Sequence, residues 1–317
     1  MTSSPKLHNM ADANYIFLLS LSIIAIGFLL KKFKVLSEEN GKVIVKIIFN
    51  ITLPALIFNT LTSINLDLSF LLLPIIPLLF SSIILFICFF IFKNYPKEIK
   101  SLILMTVIGF NMGNFAYPLI DGIWGQQGLQ YLVLFDLGNA LVIFGMIGFI
   151  ASYYSKTNES NDTKSTIKNS ILYLFKSPPI ILMILALIIN ISGLMIPLFL
   201  VDLLDTLSNA NMALTLLSLG IYLNFRFEKS EWKNISKIII IRYCFGFFAG
   251  LILFFVLPFP LLYRTIVFIS LILPMAMGTL LFAVEFDHNE RLAGVIGNLT
   301  LIISFIFMWI IVLIINP

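Results

Sequence analysis

Charge is the scarcest ingredient of this 317-residue sequence: Asp, Glu, Lys and Arg together make up 11%, where soluble domains carry about a quarter. That deficit excludes water as the main solvent of the chain. Cysteine is nearly missing as well. Cys88 and Cys244 both sit in apolar runs, and they supply neither a disulfide framework nor metal-ligand spacing. The histidines are His8 and His288, both outside those runs, so there is no Ser–His pair and no His-Glu-x-x-His helix. An intramembrane aspartyl pair is excluded too, because Asp136 is the lone aspartate at membrane depth. No G-x-x-x-x-G-K-[ST] phosphate loop occurs, which excludes ATP-driven work by this chain alone. An enzyme is not expected, and no cofactor is called for.

Apolar side chains are what the sequence has in abundance, at 60% of residues with a mean hydropathy of +1.04. Runs of about 18 or more, enough to cross some 30 Å of hydrocarbon as helix, predict ten spans. The first five are Ala13–Leu30, Val43–Leu61, Phe70–Phe92, Ser101–Ile120 and Leu129–Tyr154. The second five are Pro178–Ile196, Leu203–Phe225, Lys237–Leu257, Leu262–Val284 and Leu292–Ile315. The first run is no secretory leader, since its positive residues Lys31, Lys32 and Lys34 follow it rather than precede it.

Basic residues alternate between the connections. Lys31, Lys93, Lys156, Arg226 and Arg291, with their neighbours, mark every second one. Of the 20 Lys and Arg residues, all but Lys6 and Arg264 fall on that side. The positive-inside rule makes it the cytoplasm, with both termini outside the cell membrane. The net charge of +4 is therefore a signal of orientation, and a nucleic-acid partner is not expected.

A polar stretch at 155–177, read as a flexible cytoplasmic tether, separates a first five-helix unit (1–154) from a second (178–317). An odd number of spans per half inserts the halves in opposite directions, as in transporters built from inverted repeats. The fold class expected is thus all-α and polytopic, with two inverted five-helix repeats. The direct trace of a repeat is faint: Pro118 and Pro274 amid small residues in the fourth helix of each half, and Gly138-Asn139 and Gly297-Asn298 in the fifth.

Chemistry concentrates in the interrupted fourth and ninth spans. Gly109-Phe110-Asn111-Met112-Gly113-Asn114-Phe115-Ala116-Tyr117-Pro118 combines a proline with helix-loosening glycines and two asparagines. Pro274-Met275-Ala276-Met277-Gly278-Thr279 repeats the theme. Irregular backbone at membrane depth is tolerated only beside protein or a wet cavity, and half-helix N-termini attract anions. The candidate binding residues are Asn111, Gly113, Asn114, Pro118, Pro274, Met277 and Gly278; the alternative is a proline kink with asparagines bonding neighbouring helices. Asp136, beside Asn139, is either a carrier of a proton or cation or a capped residue joining helices. Arg242 is placed to snorkel to the cytoplasmic interface, the alternative being contact with substrate or a carboxylate. Asn298 is grouped with Asn139 as a polar support. Pro54 is expected to unwind the second helix beside the cavity. Glu285, Asp287, His288 and Glu290 read as a solvated cytoplasmic face.

At these residues the chain resembles the auxin efflux carrier family, which includes the plant PIN exporters and bacterial malate or malonate permeases. Leu53-Pro54-Ala55-Leu56-Ile57-Phe58, Asn111 to Leu119, Leu134 to Asn139, Leu217-Ser218-Leu219-Gly220, Arg242 and Leu273 to Phe286 carry the likeness. Phe247 and Met212 stand where many members have proline, which bears on subfamily. The resemblance implies fourth and ninth helices that cross, an elevator-like cycle, and an organic anion held at the crossover by Asn111 and the amides near Pro118 and Pro274. A cation-coupled carrier of the bile-acid symporter kind, and a sensor or scaffold of the same fold without flux, are the other readings. The partners expected are the lipid bilayer and a small organic anion, with H+ or Na+ as coupling ion and a homodimer left open.

Overall fold

A computed structural model describes residues 5–155, 177–223 and 232–315, with side chains from residue 13 onward. Every regular element among them is a helix, which satisfies backbone hydrogen bonds that lipid cannot. The expected tether, apart from Ser155 and Ser177, lies outside the described residues, as do Lys156, Lys164, Lys168, Lys176, Arg226 and Lys229.

The chain opens with α1 (Pro5–Lys32), which begins eight residues before the apolar run. Next, α2 (Glu38–Ile47) starts on a Ser37–Asn40 capping box and passes through a π-turn (Ile48–Thr52) into α3 (Leu53–Ser63). A 3-10 turn capped by Asp67 enters α4 (Leu72–Ile91). Then α5 (Lys97–Val107) stops at a break, after which a π-turn (Met112–Ala116) leads into α6 (Tyr117–Leu141). A further π-turn (Val142–Ile147) joins α6 to α7 (Gly148–Tyr153). Gly125, at φ 53°, divides α6 within its length.

After the undescribed stretch come α8 (Pro178–Ser192), closed by left-handed Gly193, α9 (Leu198–Tyr222) and α10 (Trp232–Val256). The second break separates α11 (Leu261–Leu271) from α12 (Met277–Glu285), and α13 (Glu290–Ile315) ends the described chain.

Six runs among the described residues are long and apolar enough to cross a membrane: Ala13–Lys32, Glu38–Ser63, Leu68–Ile91, Met112–Tyr153, Trp232–Val256 and Glu290–Ile315. The other four predicted spans do not appear as such runs. The fourth and ninth are cut by the breaks, α8 has 15 residues, and α9 is long but carries Asp202, Asp205, Asn209 and Asn211.

Pro54 does not unwind its helix, contrary to expectation. A proline lacks an amide and its ring collides with the carbonyl four residues back. The π-turn absorbs this: Leu53 N bonds Ile48 O, one residue farther back than in an α-helix, and Pro54 sits in the first turn of α3. The same device precedes Pro118, where Tyr117 N bonds Met112 O.

Packing falls into two groups. In one, α1 lies along α9, while α3 lies against α8 and α9; in the other, α4 pairs with α6 and α10 with α11. The α1–α9 contact depends on two glycines. A Cβ on Gly27 would lie 2.2 Å from Leu217 O, and one on Gly220 would lie 2.0 Å from Ile24 O. Such backbone contact is how membrane helices associate when lipid is as apolar as their side chains. His288, expected in solvent, turns inward instead, with Nε2 at 2.7 Å from Ala151 O and Nδ1 at 3.2 Å from Ser101 Oγ.

Gly220→Ala should therefore destabilise the protein by about 1–3 kcal/mol, the usual range for overpacking. Gly145, where a Cβ would meet nothing within 4 Å, supplies the control. Thermal unfolding in detergent should show a lowered Tm for Gly220→Ala and no loss for Gly145→Ala.

Candidate functional site

The two breaks meet. Phe110 and Met275 form a single antiparallel bridge, and Asn111 N donates to Pro274 O at 3.0 Å. Gly109 makes the first turn possible: its φ is +70°, and a Cβ there would lie 2.8 Å from Ile147 Cδ1 and 3.2 Å from the Ala276 Cβ. On the opposite flank, Asn139 clamps Phe110 through both backbone groups, accepting from its N–H at 2.9 Å and donating to its carbonyl at 2.9 Å. Thr300 Oγ1 accepts from Met275 N at 3.2 Å. The bonds on Phe110 N and Met275 N hold the two breaks in corresponding ways. In the second half Thr300 takes the part expected of Asn298.

A helix that stops inside a membrane leaves orphan carbonyls and the negative end of its dipole. Arg242 answers both needs. It does not snorkel, as the sequence suggested; it is 1% exposed and lies between the breaks. Nη1 donates to Thr106 O at 3.1 Å and Nη2 to Gly109 O at 2.7 Å. Nε and Nη2 reach Leu273 O at 3.3 and 2.9 Å, and Nη2 also reaches Pro274 O at 2.9 Å. The guanidinium stands over the Phe110 ring, 5.1 Å from its centre. Thr279 adds one more tie across the breaks, from its hydroxyl to Met105 O at 3.3 Å.

The other side of the breaks opens on a cavity of about 240 Å³. Asn111 and Asn114 line it from the first break, Met275 and Met277 from the second, and Asn298 with Gly297 from α13. Ser218, Leu219 and Tyr222 at the end of α9 close one wall, while Glu38 and Arg291 stand on its rim. Asn111 Oδ1 accepts from Asn114 N at 3.3 Å, which leaves the Nδ2 of Asn111 as its available donor. Asn114 is buried and its Oδ1 has no hydrogen-bond partner among the described residues. Met277 begins α12, whose N-terminus has no side-chain cap.

Of the predicted residues, Asn111, Asn114, Met277 and Asn298 thus converge on one cavity. Gly113 faces Leu53 and Phe49, and Gly278 packs on Ile143. Pro118 is buried in the first turn of α6, and Pro274 contributes its carbonyl to the joint. Asp136 stands behind the break, accepting from Tyr117 Oη at 3.1 Å and Asn139 Nδ2 at 2.8 Å. Its carboxylate thereby fixes the Asn139 amide that clamps Phe110. Sequence reasoning missed Tyr117, Thr300, Ser218 and Tyr222. Tyr117 and Ser218 had a signal, lying within the Gly109–Pro118 and Leu217–Gly220 segments, whereas Thr300 and Tyr222 had none.

The arrangement offers amide groups and apolar walls, with one carboxylate, Glu38, and one guanidinium, Arg291, at the rim. A volume below the ~300–1,000 Å³ of sites for drug-sized ligands suits a small molecule.

The sequence is similar to a family of membrane transport proteins, whose model matches residues 16–315. It is 27% identical over 289 residues to an uncharacterized transporter of Methanocaldococcus jannaschii, covering 87% of this chain and 90% of that one. An uncharacterized transporter of Methanothermobacter thermautotrophicus is 25% identical over 300 residues, covering 92% and 96%.

Removing the guanidinium should be severe. Each buried carbonyl left without a donor costs about 1–3 kcal/mol, and the carbonyls of Thr106, Gly109 and Leu273 depend on Arg242, while Pro274 O keeps the Asn111 amide. Arg242→Met should therefore lower stability by about 3 kcal/mol or more, and Arg242→Lys should recover only part of it, as read by thermal unfolding in detergent.

Proposed function

The chain belongs to the membrane transport protein family, the auxin efflux carrier group whose motifs it carries, and from that premise we propose that it is a secondary carrier of a small organic anion. The observation that carries this reading is the cavity at the two breaks. Its polar lining includes Asn111, Asn114 and Asn298, beside the start of α12, which has no side-chain cap. Half-helix N-termini and amide donors suit a carboxylate, while Met275, Met277 and Leu301 suit a short apolar body. With the charges of Arg291 and Glu38 kept to the rim, binding at the amides also allows release, which a carrier requires.

Ten spans arranged as two inverted fives, 1–154 and 178–317 joined by 155–177, accommodate the pair of breaks and their matching supports from Asn139 and Thr300. The fourth span is then α5 with the start of α6, and the ninth is α11 with α12. The end bearing Glu38, Tyr222 and Arg291 faces the cytoplasm by the charge rule, so the cavity opens inward. The α1, α3, α8 and α9 group serves as scaffold. The group built on the two breaks is the moving part of an elevator-like cycle, and it is internally braced by Arg242.

Reconstituted vesicles should accumulate a labelled small carboxylate such as malate. Asn111→Ala should lower that flux by about tenfold or more, the usual worth of a hydrogen bond to a charged group, while the lost cap on Asn114 N costs only about 1 kcal/mol of stability. No flux across a panel of mono- and dicarboxylates, or full flux in Asn111→Ala, would remove the assignment. Adding a proton ionophore, or omitting sodium, identifies the driving ion; Asp136→Asn should abolish concentrative uptake if that carboxylate carries it.

A further inference from the structure

A second cavity, sharing no lining residue with the first, lies where α4 hands over to α5. It measures about 370 Å³ and is lined by Lys93, Tyr95, Lys97, Lys100, Tyr153 and Tyr154. We propose that it binds the phosphate headgroup of an anionic phospholipid.

Lys100 is the telling residue. A lysine at a membrane surface ordinarily extends its stem and keeps its ammonium in water. Lys100 is instead 8% exposed, its Nζ lies 3.9 Å from the centre of the Phe89 ring, and it has no hydrogen-bond acceptor or ion pair among the described residues. The stem is buried and the ammonium faces the cavity, where confinement without an anion is costly and a π-face offsets only part of that. Lys93 and Lys97 add two more cations to the cavity, again without an acidic partner among the described residues; the ion pairs there, Lys31–Glu38 and Lys42–Glu39, lie elsewhere. Glu98 is adjacent in sequence but does not line the cavity. At 100° per residue, it projects from the side of α5 opposite Lys100.

The aromatic residues are set in place. Tyr95 is held by the Lys237 ammonium at its hydroxyl and packs edge-on against Phe92, while Tyr153 and Tyr154 pack edge-on at 5.1 Å. Phenolic hydroxyls beside lysines suit phosphate oxygens. What selects a lipid over a free anion is the surface next to the cavity. Phe86, Phe89, Phe90 and Ile91 are all exposed on the last two turns of α4. An amphiphile with an anionic head and apolar tails fills both surfaces, whereas a soluble anion fills one. The cavity also lies on the lysine-rich side assigned to the cytoplasm, where basic pockets between transmembrane helices bind anionic headgroups.

The test is native mass spectrometry of the full-length protein in neutral detergent, titrated with dioleoylphosphatidylglycerol, with dioleoylphosphatidylcholine, or with inorganic phosphate. The glycerol-headed anionic lipid should bind at least about tenfold more tightly than the choline lipid. Lys93→Gln/Lys97→Gln, at exposed positions where folding is not at stake, should reduce its binding by about tenfold or more. Lys100→Gln should do the same where it folds. Equal binding of both lipids, or unchanged binding in the double variant, would overturn the proposal. So would inorganic phosphate that displaces the lipid at similar concentration, which would make this a site for soluble anions.

Discussion

The guanidinium of Arg242 holds together two helices that should not be stable where they stop. Breaking a helix within a membrane exposes carbonyls to a medium that offers no donor, and here it happens twice at one place. One side chain with five N–H donors in a rigid fork reaches carbonyls of both breaks, at Thr106 and Gly109 on one side and Leu273 and Pro274 on the other. Its charge also sits where the negative ends of α5 and α11 converge. Without it, the breaks would be replaced by continuous helices or a collapsed joint, and the cavity would go with them.

The rest of the site follows from that fixture. With the carbonyl ends satisfied, the opposite ends of the breaks are left to face the cavity through Asn111, Asn114 and Met277. Supports behind them keep the geometry narrow: Asp136 fixes Asn139, Asn139 clamps Phe110, and Thr300 holds Met275. The protein thus separates cation and amide functions. The buried cation is structural and contacts the backbone, while neutral amides line the cavity. In the carrier proposed above, an anion would meet these amides first, with Arg291 and Glu38 at the rim.

Much of this was legible in the sequence. Apolar runs locate the helices, and Asn, Gly and Pro at membrane depth mark the two breaks because each residue type weakens or replaces a helical hydrogen bond. Arg242 was misread for a physical reason: its distance along the helix from an interface reveals nothing about which carbonyls lie beside it. Pro54 was misread because an inserted π-turn leaves no signature beyond the proline itself. Gly113 and Gly278 belong to the right motifs yet face Leu53 and Ile143, a matter of rotation about a half-helix that spacing does not resolve around an irregular turn. Thr300 carried no signal because its bond to Met275 N exists only once two distant segments meet. Two supports that look like one motif, Gly138-Asn139 and Gly297-Asn298, have parted roles, with Asn139 on the backbone and Asn298 at the cavity.

The most direct measurement is carboxylate binding by the purified protein, read by calorimetry, in wild type and in Asn111→Asp. Aspartate at 111 retains an acceptor for Asn114 N, so the first break keeps its cap, but it replaces the donor that faces the cavity with a negative charge. Melting unchanged and binding of malate and related acids abolished is the result expected of an anion site at the breaks. Binding of equal strength in both proteins would contradict it.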